Sequence, residues 1–201
     1  MKKSQLFITF LFSGILSSFA QNDSLNVPKK TSYKMTVEPG IGISPMPIMD
    51  MTLSNIVQVR ITKRLSVISY TSIKENNLFL RTFNYIKSTN NYTLTQKLGA
   101  GPSFYRKRSI HTLSLLAGIK YDTYHETLNN PKFEKVDVTI KSWSPDVGMM
   151  YNIKLGKNKY YFSYRMYIPL FPYPIKTMDI TGIDGNLANV SLEIGLGIRL
   201  K

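Results

Sequence analysis

The chain has no cysteine. Disulfides, thiolate metal sites and a lipid anchor on an N-terminal cysteine are therefore excluded. Histidines number two, His111 and His125. They fall on either side of one expected strand, so a two-histidine metal site is not expected, nor is any cofactor. Acidic residues are scarce, 12 Asp and Glu against 26 Lys and Arg, for a formal net charge of +14. A basic balance points to nucleic acid or to an anionic membrane surface. The sequence holds no nucleic-acid motif and no basic helix, so the membrane is favoured and no nucleic-acid partner is expected. After the first twenty residues no stretch approaches 18 continuous apolar residues. A transmembrane helix is therefore not expected.

The beginning of the chain does carry an address. Lys2 and Lys3 precede an apolar stretch from Leu6 to Leu16, and Ser18-Phe19-Ala20 puts small residues at −3 and −1 of a break. This is the layout of a secretory signal peptide. We expect a cleaved signal peptide over 1–20, a flexible lead-in over 21–32, and one domain over 33–201.

That domain alternates. In the last stretch the even positions Ala188, Val190, Leu192, Ile194, Leu196, Ile198 and Leu200 are apolar, and the odd ones, such as Asn189, Ser191, Glu193 and Arg199, are polar or glycine. Side chains alternate faces along a strand, so this is a strand with one apolar and one polar face. Seven more strands follow the same rule, near 33–43, 51–61, 65–74, 91–105, 110–124, 136–155 and 160–171. Asn55 and Leu116 break the alternation of their strands. Around Trp143 to Pro145 the apolar parity flips, which predicts a bulge or a turn there.

The connections alternate too. Those near 62–64, 106–109 and 156–159 are short and basic, whereas 75–90, 125–135 and 172–186 are long. Short turns on one side and long loops on the other mark an outer-membrane barrel. The expected fold is all-β, an eight-stranded antiparallel up-and-down transmembrane β-barrel. A count of ten arises if 78–86 and 135–142 are separate strands rather than hairpins rising above the membrane.

Alternation alone fits equally a soluble lipocalin-like barrel with its apolar face inward. Two features favour the membrane. Glycines crowd the polar face, among them Gly99, Gly101, Gly195 and Gly197, where a narrow lumen leaves little room. Aromatic residues of the apolar face gather near strand ends, as at two membrane interfaces.

With these features the chain resembles the small single-domain outer-membrane β-barrels, the OmpX/OmpA-transmembrane-domain type, over about residues 33–201. The resemblance implies contact with outer-membrane lipids and lipopolysaccharide, an outer-membrane location, and handling by the barrel-insertion machinery. One departure is the end, Leu200-Lys201, where that class often closes on an aromatic residue.

The candidate site is a set of charges on the polar face: Glu38, Arg60, Lys97, Lys120, Asp122, Arg165, Glu193 and Arg199. The first and last strands are neighbours in a closed barrel, so Glu38, Arg165, Glu193 and Arg199 are expected in one buried ion network. Such a network either plugs the barrel or forms a selectivity constriction. No catalytic residue is assigned. The lipid-A deacylases among such barrels resemble a His-x-Ser pair with a carboxylate, but here His111 is followed by Leu113 and His125 by Thr127, with Glu126 pointing the other way. The expected function is a non-enzymatic surface or envelope role, with loops 75–90 and 125–142 as possible partner contacts. The alternatives are a narrow passive channel, a lipid-A-modifying enzyme and the lipocalin-like lipid binder.

Overall fold

A computed structural model describes residues 33–44, 50–75, 82–83, 86–106, 108–128, 136–170 and 190–200. The expected signal peptide, the lead-in and most of the long connections lie outside the described residues. Every regular element described is a strand: β1 (Met35–Ser44), β2 (Asp50–Arg60), β3 (Leu65–Glu75), β4 (Thr82–Phe83), β5 (Ile86–Tyr105), β6 (Ser109–Leu128), β7 (Val136–Leu155), β8 (Tyr160–Pro169) and β9 (Ser191–Leu200). All pairings are antiparallel between chain neighbours, apart from two contacts that close the ring. β3 pairs with β5 from Leu65↔Pro102 to Glu75↔Tyr92. β1 pairs with β9 from Met35↔Leu200 to Ile43↔Leu192. The barrel therefore has eight strands, and β4 is a two-residue hairpin arm on the outer part of β5.

The apolar face points out. Leu53, Leu98, Ile119, Phe162, Ile194 and Leu196 are all at least half exposed, while Glu38, Lys120, Lys154 and Asn152 are fully buried. A soluble barrel would show the reverse, so the lipocalin-like alternative is overturned. From Trp143 to Leu155 the outward face of β7 covers about 40 Å of strand at about 3.4 Å per residue. Tilted by about 40°, that strand crosses about 30 Å of membrane. The outer rim carries Trp143, packed against Tyr121 with ring centroids 4.8 Å apart. The short-turn rim carries exposed Tyr160 and Phe104, and Tyr151, whose hydroxyl lies 2.7 Å from His111 Nδ1.

The bulge or turn expected around Trp143–Pro145 is absent. β6 and β7 pair without a register shift from Ser109↔Leu155 to Leu128↔Val136. The outward positions continue as Trp143, Lys141, Thr139 and Asp137, all exposed. The strand keeps its parity and changes its surroundings, from lipid to water, so the outward residues turn polar above the membrane. The register shift lies instead between Thr89 and Tyr92, where β5 has one residue more than β6. This bulge sits where the β5–β6–β7 sheet leaves the barrel, and bulges commonly mark barrel rims.

The short turns are held locally. Leu65 N donates to Thr62 Oγ1 (3.0 Å), and Arg106 N donates to the Ser109 carbonyl (2.8 Å). Gly156 opens the third turn at φ 122°, a left-handed conformation that favours glycine.

Trp143 is the sole tryptophan and reports the outer rim directly. In bilayers its fluorescence is expected to be quenched more strongly by bromine near the headgroups than by bromine at the acyl-chain ends. Quenching only by aqueous iodide would contradict the placement.

Candidate functional site

The lumen is filled from both sides of the ring. Alternation sends Glu38 inward from β1, Arg165 from β8 and Glu193 from β9. The Arg165 guanidinium stands between the two carboxylates, with Nη1 3.3 Å from Glu193 Oε2 and Nε 3.9 Å from Glu38 Oε2. Its Nη1 also donates to Ser54 Oγ (3.0 Å), which donates in turn to Glu193 Oε2 (2.5 Å). Tyr70 and Ser191 hydroxyls donate to Glu193 Oε1 at 2.6 and 3.1 Å. Glu38 accepts from Asn152 Nδ2 (2.9 Å), Tyr161 (2.8 Å) and Thr36 (3.1 Å), and pairs with Lys154. A buried charge is tolerated only when paired and hydrogen-bonded, and these carboxylates are.

Arg165 also reaches the backbone beside the closing seam. The β1–β9 ladder skips Glu38 and Pro39, because proline has no N–H to donate. There Arg165 Nη2 donates to the Glu38 carbonyl (2.5 Å). The guanidinium needs a wall without side chains. A Cβ at Gly40 would lie 2.9 Å from Arg165 Nη1, and one at Gly195 would collide with Nη2. Gly197 and Gly148 make the same room for the Tyr161 and Tyr167 rings.

The remaining candidate charges separate into other groups. Lys97 pairs with Asp146 (2.6 Å) and lies 3.3 Å above the centroid of Tyr167, whose hydroxyl donates to Asp146 (2.5 Å). Lys120 lies 3.8 Å from Asp122, which accepts from Thr93 Oγ1 (2.6 Å). Arg199 stands apart from the network in which the sequence placed it. It donates to the carbonyls of Asn158 (2.5 Å) and Gly156 (2.7 Å) and covers the Tyr161 ring, which ties β9 to the β7–β8 turn. Arg60 is half-buried at the short-turn mouth, beside Gln58, Tyr105 and Arg199.

Sequence reasoning missed Lys154, Asn152 and Asp146. Their signal was present, since the even positions of β7 oppose the apolar Val147, Met149, Tyr151 and Ile153. It also missed an apolar cluster inside the lumen, made by Ile56, Ile68, Leu116 and Met150, each at most 1% exposed. The irregular Leu116 belongs to it. Two cavities of about 40 and 30 Å³ lie toward the two mouths. The buried apolar cluster lies between them along β2 and β3.

The histidines are far apart along β6. His125 lies 2.8 Å from Thr139 Oγ1 and 3.3 Å from Asp137 Oδ1, on the exposed face of the outer hairpin. The trio staples β6 to β7 on that exposed face.

A closed ring of eight strands, apolar outside and charged inside, defines an integral outer-membrane β-barrel. The solved structures to which the chain is similar include small outer-membrane barrels. Ail, the attachment invasion locus protein of Yersinia pestis, is 10% identical, with 83% of this chain and 97% of that chain covered and a TM-score of 0.45. The N-terminal β-barrel domain of Pseudomonas aeruginosa OprF is 9% identical, with 84% and 98% covered and a TM-score of 0.44. Neisserial surface protein A (NspA) is 12% identical, with 84% and 94% covered and a TM-score of 0.39. No family model matches the chain, and no curated protein matches it in sequence.

Replacing Glu38 by Ala leaves Lys154 and Arg165 facing a missing charge. The folded barrel is expected to lose about 3–5 kcal/mol in urea unfolding from lipid vesicles, the cost of breaking a buried pair. A loss below about 1 kcal/mol, the range of exposed ion pairs, would show that the cluster is solvated.

Proposed function

We propose that this is a sealed, non-enzymatic surface barrel that works through its outer hairpins, by binding an extended segment of a partner protein. The observation that carries this reading is the difference in strand length. β5, β6 and β7 have 20 residues each, whereas β1, β2, β3, β8 and β9 have 10 or 11. Pairing of β7 with β8 stops at Gly148↔Pro169, while pairing with β6 continues to Val136. Above the rim, the side of β7 that faces away from β6 therefore has no ladder partner from 136 to 146 among the described residues. An open edge offers unpaired N–H and C=O groups to an added strand. Asp137, Thr139 and Lys141 stand exposed along it and supply side chains for discrimination. The 75–90 region contributes the β4 arm at the other margin of the same sheet.

The charges of the lumen then serve as a plug. The Arg165 cluster, the Lys97–Asp146 pair and the apolar cluster between the strands leave a solute no continuous path. Residues 1–20 serve as the export signal and 21–32 as the lead-in on the periplasmic side, where lipid headgroups, lipopolysaccharide and the insertion machinery complete the surroundings of the barrel.

Two measurements test the proposal. The purified protein in planar bilayers is expected to show no conductance above background; stable channels would favour the passive-channel reading. On arrays of extended peptides, binding is expected for the full chain and lost in Thr139→Pro, which places proline at the open edge. Equal binding by both proteins would remove the edge from the account.

A further inference from the structure

Among the described residues, the lipid-facing band is apolar except in one place. On β1, β6, β7, β8 and β9 the outward side chains between the two rims are aliphatic, aromatic, methionine or proline. On β2, β3 and β5 four polar side chains interrupt the band: Asn55, Ser69, Thr71 and Gln96. Strand register puts Asn55 opposite Thr71 and Thr71 opposite Gln96, so three of them form one row across three strands. Ser69 is the next outward position on β3. Asn55, Thr71 and Gln96 are exposed and Ser69 is half-buried. Thr71 Oγ1 donates to Gln96 Oε1 (2.5 Å), and Gln96 Nε2 donates to Ser69 Oγ (3.1 Å).

The row lies inside the band, not at its rim. Leu53, Ile73 and Leu94 stand exposed on one side of it, and Val67 and Leu98 on the other. Short side chains such as Asn and Thr cannot reach an interface from there. Polar groups facing hydrocarbon are costly unless something answers them. The two internal bonds leave the Gln96 amide one N–H and one lone pair, and the Asn55 amide is exposed beside it.

We propose that this face is the site at which two copies of the chain meet within the membrane. The patch carries no charge, and its amides and hydroxyls hold both donors and acceptors. A second copy related by a two-fold axis presents the same set in return, so donors meet acceptors without any other molecule. Acyl chains offer no hydrogen bond, and a charged partner would bring a charge that nothing here neutralises. The surrounding surface suits the approach of two sheets. Ser69 and Ala100 are small, as residues at helix contacts in membranes are, and Val57 and Val67 are short, whereas the β8 face projects Phe162 and Tyr164 outward.

The absence of native cysteine makes the test clean. Single variants Ser69→Cys, Thr71→Cys and Leu98→Cys of the full chain are oxidised in phosphatidylcholine vesicles beside Ile194→Cys, which lies on a different, exposed apolar face. Heat-modifiable migration on a gel confirms that each is folded. The proposal expects disulfide-linked dimers at one or more patch positions, several-fold more than at Ile194. It also expects that yield to fall to the Ile194 level when Asn55→Leu and Gln96→Leu are added. These replacements make the lipid face more apolar, so folding is retained. No dimer from any patch position, equal yields on both faces, or patch dimers undiminished by the two leucines would each overturn it. Cross-linking in cells to a different outer-membrane protein, with none between copies, would also overturn the second-copy assignment. The outcome is independent of what the outer hairpins bind.

Discussion

Hydrocarbon offers no hydrogen bonds, and most of this structure follows from that. A strand in lipid must find partners for its own N–H and C=O groups, so a membrane sheet has to close on itself. Here closure falls on β1 and β9, the first and last strands, and the register there aligns Met35 with Leu200. The same constraint governs side chains. Whatever is charged must turn inward, and whatever turns inward must be answered by an opposite charge or a hydrogen bond. The side-chain requirement is met at Arg165, which pairs with Glu38 and Glu193 and also donates to the Glu38 carbonyl beside the closing strands.

The narrow lumen sets the second condition, which is volume. Eight strands enclose a space that side chains fill. The arginine and tyrosines of the plug fit because glycines face them: Gly40 and Gly195 under Arg165, Gly197 under Tyr161, Gly148 under Tyr167. Small residues on the wall and large ones across the lumen are thus parts of one arrangement. The apolar cluster of Ile56, Ile68, Leu116 and Met150 completes it.

The period of two was readable in the sequence because lipid and lumen impose opposite chemistry on successive residues. The alternation from Ser191 to Leu200 recurs in the structure residue by residue, and Glu38, Arg165 and Glu193 were readable as neighbours because a closed ring joins its first and last strands. The same rule misled at Trp143–Pro145. It assumes that the outward face stays in lipid, and β7 leaves the membrane there without bending. Asp146, Asn152 and Lys154 were missed with it. Pairings across the lumen were also beyond local pattern. Lys154 meets Glu38 from another strand across the interior, and no spacing along the chain encodes that meeting. The separate place of Arg199 has the same origin, since its carbonyl partners belong to a turn some forty residues earlier.

The central claim is that the apolar face is the outside of a closed barrel in the outer membrane. Gel migration of the detergent-solubilised outer-membrane fraction, unboiled against boiled, tests it most directly. A closed barrel resists the detergent until heated, so the account predicts two distinct mobilities and recovery of the protein from that fraction. A protein recovered soluble from the periplasm, with one mobility before and after boiling, would contradict it.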